Sequence, residues 1–182
     1  MDYIKRHADE FDVDPTRIYC IGFSAGGHLV ANLAVEWDKL NARHGVSLDA
    51  RPAAVALGYP VITTKFKYCG THQNLLCGYD GEEKQRLLQE LQLDDAVTEQ
   101  TAPSFVWTTA EDTLVPPANS MTFAMALDAH KVPYELHIFP KGPHGLASAT
   151  AEVEVGGHLA ATVHKWMELS RDFFALHTTD NN

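Results

Sequence analysis

Residues 17–28 read RIYCIGFSAGGH, and this stretch decides the fold. Its first part, residues 17–23, is a short apolar run of the kind that forms a strand buried on both faces. Residues 24–37 then read as a helix rich in Ala and Leu. At the junction stands Gly22-Phe23-Ser24-Ala25-Gly26, a G-x-S-x-G pattern between strand and helix. A serine in such a tight turn sits under backbone strain, and the two glycine positions have to be small to let the chain bend. Its hydroxyl then projects above the start of a helix, where developing negative charge is favoured and the Ala25 N–H can donate to an oxyanion. A Gly-rich helix start that binds nothing is the plainer alternative, and the strand-turn-helix setting weighs against it.

Outward from this junction the chain alternates helix and strand. Residues 2–11 have helical spacing, and Asp14-Pro15-Thr16 ends them with turn chemistry. Further strands are expected at residues 53–59, 104–110 and 134–139. Helices are expected at 82–91, 119–130 and 157–176, with a polar, irregular stretch over 63–80. This alternation predicts one α/β domain over residues 1–182: a mostly parallel sheet of about four strands with helices on both faces. Functional residues then belong at the C-terminal ends of strands.

Composition narrows the function. The 182 residues are 45% hydrophobic and 21% charged, an ordinary globular balance. A formal net charge of -10 opposes nucleic acid and anionic lipid as partners. No run of about 20 apolar residues is present to span a membrane. The charged first ten residues and the odd count of 3 cysteines fit a reducing, cytoplasmic compartment.

Two further strand ends carry candidate chemistry. After residues 104–110 comes Glu111-Asp112-Thr113, where Asp112 can hold an imidazole in one tautomer. Asp112 as a turn or capping residue is the bland reading, and Glu111 is the competing acid. After residues 134–139 comes Pro140-Lys141-Gly142-Pro143-His144-Gly145, a loop able to carry the His144 ring across the rim toward Ser24. The chain order Ser24, Asp112, His144 is that of α/β-hydrolases and differs from the two other well-known serine-hydrolase orders.

With these residues in view, GFSAGGH, GYPVIT, TAEDTLVPPANS, VPYELHIFPKGPHG and HLAATVHKWMEL resemble the α/β-hydrolase fold. Within it they look like the esterase and lipase branch that includes acetyl-xylan-esterase-like enzymes. The resemblance implies a serine hydrolase of carboxylic esters, short-acyl or carbohydrate acetyl, that needs no metal or organic cofactor. Ser24 is then the nucleophile, His144 the base, Asp112 the acid and Ala25 an oxyanion donor; Asn119-Ser120 follows the family's helix after the acid loop. The family places several strands and a His-Gly-Gly oxyanion loop before the nucleophile. No His-Gly-Gly occurs here. At about 30 residues per strand-helix unit, on the order of 100 residues are expected to be absent. The chain thus reads as the C-terminal part of such a fold with its N-terminal strands missing. Impaired activity and self-association through the free edge of the 17–23 strand are expected to follow.

Two other readings stay open: a prolyl-peptidase-type serine peptidase with the same fold and triad order, and a non-catalytic fragment or pseudoenzyme. Carbon-halogen and epoxide hydrolases put an acid where Ser24 stands, which argues against them. The 63–80 stretch, with Tyr68, His72 and Tyr79, either shapes a substrate pocket or is a surface excursion. Cys69, His72 and Cys77 lack the paired close spacing of a zinc site. Cys20 reads as a core residue and His28 as a packing or hydrogen-bonding residue. Trp37, Trp107 and Trp166 read as core or half-buried, each with a hydrogen-bond partner.

Overall fold

The computed structural model describes residues 1–45, 50–66, 70–150 and 162–177. Its elements run α1 (Asp2–Arg6), α2 (Ala8–Phe11), β1 (Cys20–Phe23), α3 (Ser24–His44), β2 (Val55–Gly58), α4 (Thr71–Leu75) and α5 (Gly81–Glu90). Then come β3 (Ser104–Thr109), α6 (Ala118–Ala129), β4 (Tyr134–Phe139), a 3₁₀ turn (Val163–Lys165) and α7 (Trp166–Leu176). The expected 157–176 helix is seen from Val163 onward, and its first residues lie outside the described set. The 63–80 stretch holds the short α4, which the sequence pattern did not reveal.

The four strands form one parallel sheet in the order β1-β2-β3-β4. The register Phe23↔Gly58 brings the ends of β1 and β2 level, and Gly58↔Trp107 with Thr109↔Phe139 lets β3 and β4 run two residues further on the same side. Side chains alternate across the sheet with period two. Val55, Leu57 and Val106 point to one face, with Ala31 and Ala34 of α3 and Phe123 and Leu127 of α6. Ala54, Ala56, Phe105 and Trp107 point to the other, with Trp166 and Phe173 around α7. Trp107 lies at the centre of that second layer. It stacks on Trp166 with centroids 5.4 Å apart and meets Tyr59 edge-on at 5.0 Å.

The central strands β2 and β3 are buried throughout, as their unbroken apolar sequences require. The nucleophile strand is not, which corrects the expectation for residues 17–23. The strand itself is Cys20–Phe23, with the Ile18 carbonyl accepting from the Ala53 N–H just before it, and Ile21 is 49% exposed. The reason is position: β1 is an edge strand, and beside it lies a groove lined by Tyr19, Ile21, Trp166 and Phe174. Among the described residues, β1 has β2 as its single partner. α3 also runs past the expected Trp37 to His44; a non-helical turn at Glu36 interrupts it, and Gly45 in the left-handed region ends it. Trp37 and Trp166 donate to the carbonyls of Gln100 and Ala147, as expected. Buried Trp107 has no partner for its Nε1 among the described residues; its place amid aromatic rings offers no acceptor. No helix among the described residues is long and apolar enough to cross a membrane.

The glycines of the strand-to-helix junction are not equivalent. A Cβ on Gly22 would meet the Gly26 carbonyl oxygen at 2.3 Å, and one on Gly27 would meet Pro60 Cβ at 2.8 Å. At Gly26 the space is open. The crowding that demands small residues therefore falls on Gly22 and Gly27 rather than on both glycines of the motif. Gly22→Ala and Gly27→Ala are each expected to destabilise by about 1–3 kcal/mol or more, through overpacking against backbone and proline. Gly26→Ala, in the first turn of α3 with open space at its Cβ, should be neutral or stabilising by up to about 1 kcal/mol. Urea unfolding of the three variants checks this ranking.

His28 on α3 donates from Nδ1 to the Val61 carbonyl at 3.1 Å, and its ring meets His72 of α4 edge-on at 5.1 Å. Burial holds both histidines below the usual imidazole range, His72 down to about 4, with the neighbouring His28 adding to the shift. The unfolded chain therefore binds these protons more readily than the folded one. The stability that they contribute is present above about pH 6.5 and is lost as pH falls toward 4. His72→Gln should flatten the loss of urea stability between pH 6.5 and 4, by on the order of 3 kcal/mol at most.

Candidate active site

Ser24 follows β1 directly, with Phe23 still extended and Ser24 itself at φ 55°. This left-handed conformation is strained for a residue with a Cβ, at roughly 1–3 kcal/mol. Two contacts hold it: the Val61 N–H donates to the Ser24 carbonyl at 3.2 Å, and Gly22 passes against Gly26. The turn aims the Ser24 hydroxyl at the rim where β2 and β3 also end.

The three residues singled out from separate strand ends meet at that rim. Ser24 Oγ lies 2.8 Å from His144 Nε2, and His144 Nδ1 lies 2.7 Å from Asp112 Oδ2. With Asp112 as an acceptor, Nδ1 carries the proton and Nε2 is the free acceptor for the serine hydroxyl. Asp112 is 4% exposed, and its second oxygen accepts from the N–H groups of Leu114 and Val115 at 3.0 and 2.9 Å. It is thus both the turn aspartate of the bland reading and the partner of the imidazole. One oxygen closes the loop while the other faces the ring. Glu111, the competing acid, turns away to Lys141 and to the Gly142 N–H.

Ala25 lies in the first turn of α3, so its N–H has no acceptor within the helix and remains available to an anion beside Ser24. Asn119, fully buried at the start of α6, accepts from the N–H groups of Ile62 and Thr63 at 3.0 and 3.2 Å. It ties the segment after β2 to the segment after β3. A cavity of about 870 Å³ opens at Ala25 and runs along α3 past His28 and Asn32. Thr71 and Leu75 of α4 line its other side, so part of the 63–80 stretch does face a cavity near the serine. Tyr79 is exposed outside it, and Tyr68 lies outside the described residues.

The zinc reading gains no support. Cys69 lies outside the described residues, Cys77 is exposed and His72 is buried. No group of three metal-ligating side chains occurs among the described residues.

Sequence reasoning missed Tyr59, which packs on the imidazole, and Thr109 and Gly142, which fix the loop that carries it. Tyr59, at the end of β2 with φ 38°, meets the His144 ring edge-on at 4.8 Å. Its hydroxyl accepts from the Ala147 N–H at 2.8 Å, and burial pushes its pKa up. Thr109 ends β3, and its hydroxyl donates to the Gly142 carbonyl at 2.6 Å. Gly142 itself sits at φ 128°, open to glycine and hostile to other residues. Their signal in the sequence was position alone: Tyr59 and Thr109 both close strands whose ends face the rim.

Residues 1–169 match the prolyl oligopeptidase family. Over 153 residues the chain is 37% identical to an endo-1,4-beta-xylanase B of Butyrivibrio fibrisolvens, covering 82% of this chain and 24% of that protein. Among solved structures, an acetyl ester-xyloside bifunctional hydrolase of Caldicellulosiruptor lactoaceticus superposes with TM-score 0.80 at 35% identity, covering 96% of this chain and 62% of that one. A carboxylesterase of Lactobacillus plantarum superposes with TM-score 0.75 at 30% identity, covering 96% of this chain and 64% of that one. The chain therefore spans a quarter of the first protein's length and under two thirds of each of the others. The strand-turn-helix junction, the parallel sheet and the extent of this match together place the chain, as part of an α/β-hydrolase fold, in the prolyl oligopeptidase family.

Proposed function

We propose that this chain carries the catalytic residues of a serine hydrolase acting on carboxylic esters, with short-acyl or carbohydrate acetyl esters as its substrates. The observation that carries the reading is the continuous line from Asp112 through His144 to Ser24, with both links under 3 Å. In this reading the His144 Nε2 takes the hydroxyl proton as Ser24 Oγ attacks the ester carbonyl. The carbonyl oxygen becomes an oxyanion and receives the Ala25 N–H. The tetrahedral centre collapses, its C–O bond breaks, and His144 returns the proton to the leaving alcohol. Water then attacks the acyl-serine by the same route, releasing the acid and restoring Ser24. Asp112 stays ionised throughout and steadies the imidazolium. The acetyl-ester and carboxylesterase activities named for the structural relatives favour esters as the substrate class.

The family's name brings a second reading, a serine peptidase, which the same three residues would serve. A third is a chain without catalysis. The full oxyanion hole needs a second donor, and the sequence contains no His-Gly-Gly stretch to supply it. We therefore propose that the 182 residues alone label at Ser24 but turn over weakly, since one missing oxyanion donor costs about 2.7–4 kcal/mol of transition-state stabilisation.

The expected outcome is fluorophosphonate labelling of the chain at Ser24, absent in Ser24→Ala. Slow hydrolysis of p-nitrophenyl acetate should accompany it and exceed that of a matched anilide series. Asp112→Asn should lower the turnover by about 10⁴-fold, or to background, by favouring the wrong tautomer. Anilide turnover above ester turnover would favour the peptidase, and no labelling at all would favour the non-catalytic chain.

A further inference from the structure

The His144 loop is fixed at a point two residues before the imidazole. Gly142 has both its backbone groups engaged by side chains from the end of β3. Its N–H donates to Glu111 Oε2 at 3.1 Å, and its carbonyl accepts from the Thr109 hydroxyl at 2.6 Å. Thr109 is 2% exposed, so that second bond is shielded from water. Pro143 follows, and its ring locks φ near −65°. Between a residue held at both backbone groups and His144, few free rotations remain. On the far side the Tyr59 hydroxyl holds the Ala147 N–H. A base has to sit within about 0.5 Å of its productive place, and a displacement of 1 Å can cost 10²-fold in rate.

We propose that Glu111 and Thr109 are positioning residues for His144, acting through Gly142. This rests on the reading of Ser24, His144 and Asp112 as the reacting group. Glu111 also pairs with Lys141 at 2.6 Å, but those side chains are 47% and 73% exposed, and a pair so open to solvent contributes little. The useful bond of Glu111 is the one to the Gly142 N–H, which an uncharged acceptor can also make. Adjacent acids thus divide the work: Asp112 orients the ring, and Glu111 with Thr109 places the loop that carries it.

The test uses Glu111→Ala, Glu111→Gln, Thr109→Val, Thr109→Ser, Lys141→Met and the Glu111→Ala/Thr109→Val double variant. Two readouts are taken: the fluorophosphonate labelling rate of Ser24, and the downfield proton resonance of His144 Nδ1–H against Asp112, assigned by its loss in Asp112→Asn. Glu111→Ala and Thr109→Val are each expected to slow labelling by roughly 10- to 100-fold and to broaden the resonance. Glu111→Gln, Thr109→Ser and Lys141→Met should stay within about 3-fold of the parent, the first two because the bond to Gly142 is kept. The double variant should lose less than the product of the single losses, because both act through one residue. Glu111→Ala with the parent's labelling rate and resonance would overturn the proposal, as would a Lys141→Met loss equal to that of Glu111→Ala. If the parent chain does not label at all, the hydrolase reading fails. The resonance then still decides whether Glu111 and Thr109 set the place of His144.

Discussion

The hydrogen bond between the Ser24 hydroxyl and the His144 imidazole joins residues 120 apart in sequence, and the rest of the site is arranged around making it short. Parallel pairing is what makes the bond possible. In a parallel sheet every strand delivers its C-terminal end to the same rim, so residues that follow separate strands become neighbours. Ser24 comes after β1, Tyr59 after β2, Thr109 and Asp112 after β3, and His144 after β4. An antiparallel arrangement would have sent half of these loops to the opposite edge.

The rim is built from conformations that an unconstrained chain would avoid. Ser24 and Tyr59 both carry side chains at positive φ, and Gly142 lies where other residues clash. Each is held by bonds that leave little slack. The Ser24 carbonyl takes the Val61 N–H, Tyr59 donates its N–H to the Trp107 carbonyl, and Gly142 is gripped at both backbone groups. Below them, Phe105 and Trp107 of β3 form an aromatic layer against which Trp166 and Phe173 of α7 pack. Strain at the rim and close packing beneath it belong together: the turn energies can be tolerated because the layer under them does not yield.

Much of this was legible in the residues. The apolar runs marked β2 and β3 within two residues, because central strands covered by helices on both faces have to be apolar throughout; the edge strand β4 was marked by the mixed run YELHIF. Ser24, Asp112 and His144 were legible because a strand end followed by a special loop residue is a local pattern. What stayed hidden was long-range. The exposure of Ile21 depends on β1 lying at the edge of the sheet, and the grip on Gly142 depends on Thr109 and Glu111 reaching a different loop. α4 is a five-residue helix, too short for any periodicity to develop. The asymmetry between Gly26 and Gly27 also escaped, because Pro60 comes from another strand end.

The same triad geometry serves esters and amides, so the distinction between them lies in what else the site must do. An amide nitrogen leaves only once protonated, and its tetrahedral intermediate lasts longer and leans harder on the oxyanion donors. An alkoxide or phenolate departs with far less help. The loop that carries His144 is braced on one side through Gly142 and on the other through Ala147. In the proposed reading a base so braced serves either leaving group, and the share of the work that falls to the oxyanion donors decides between them.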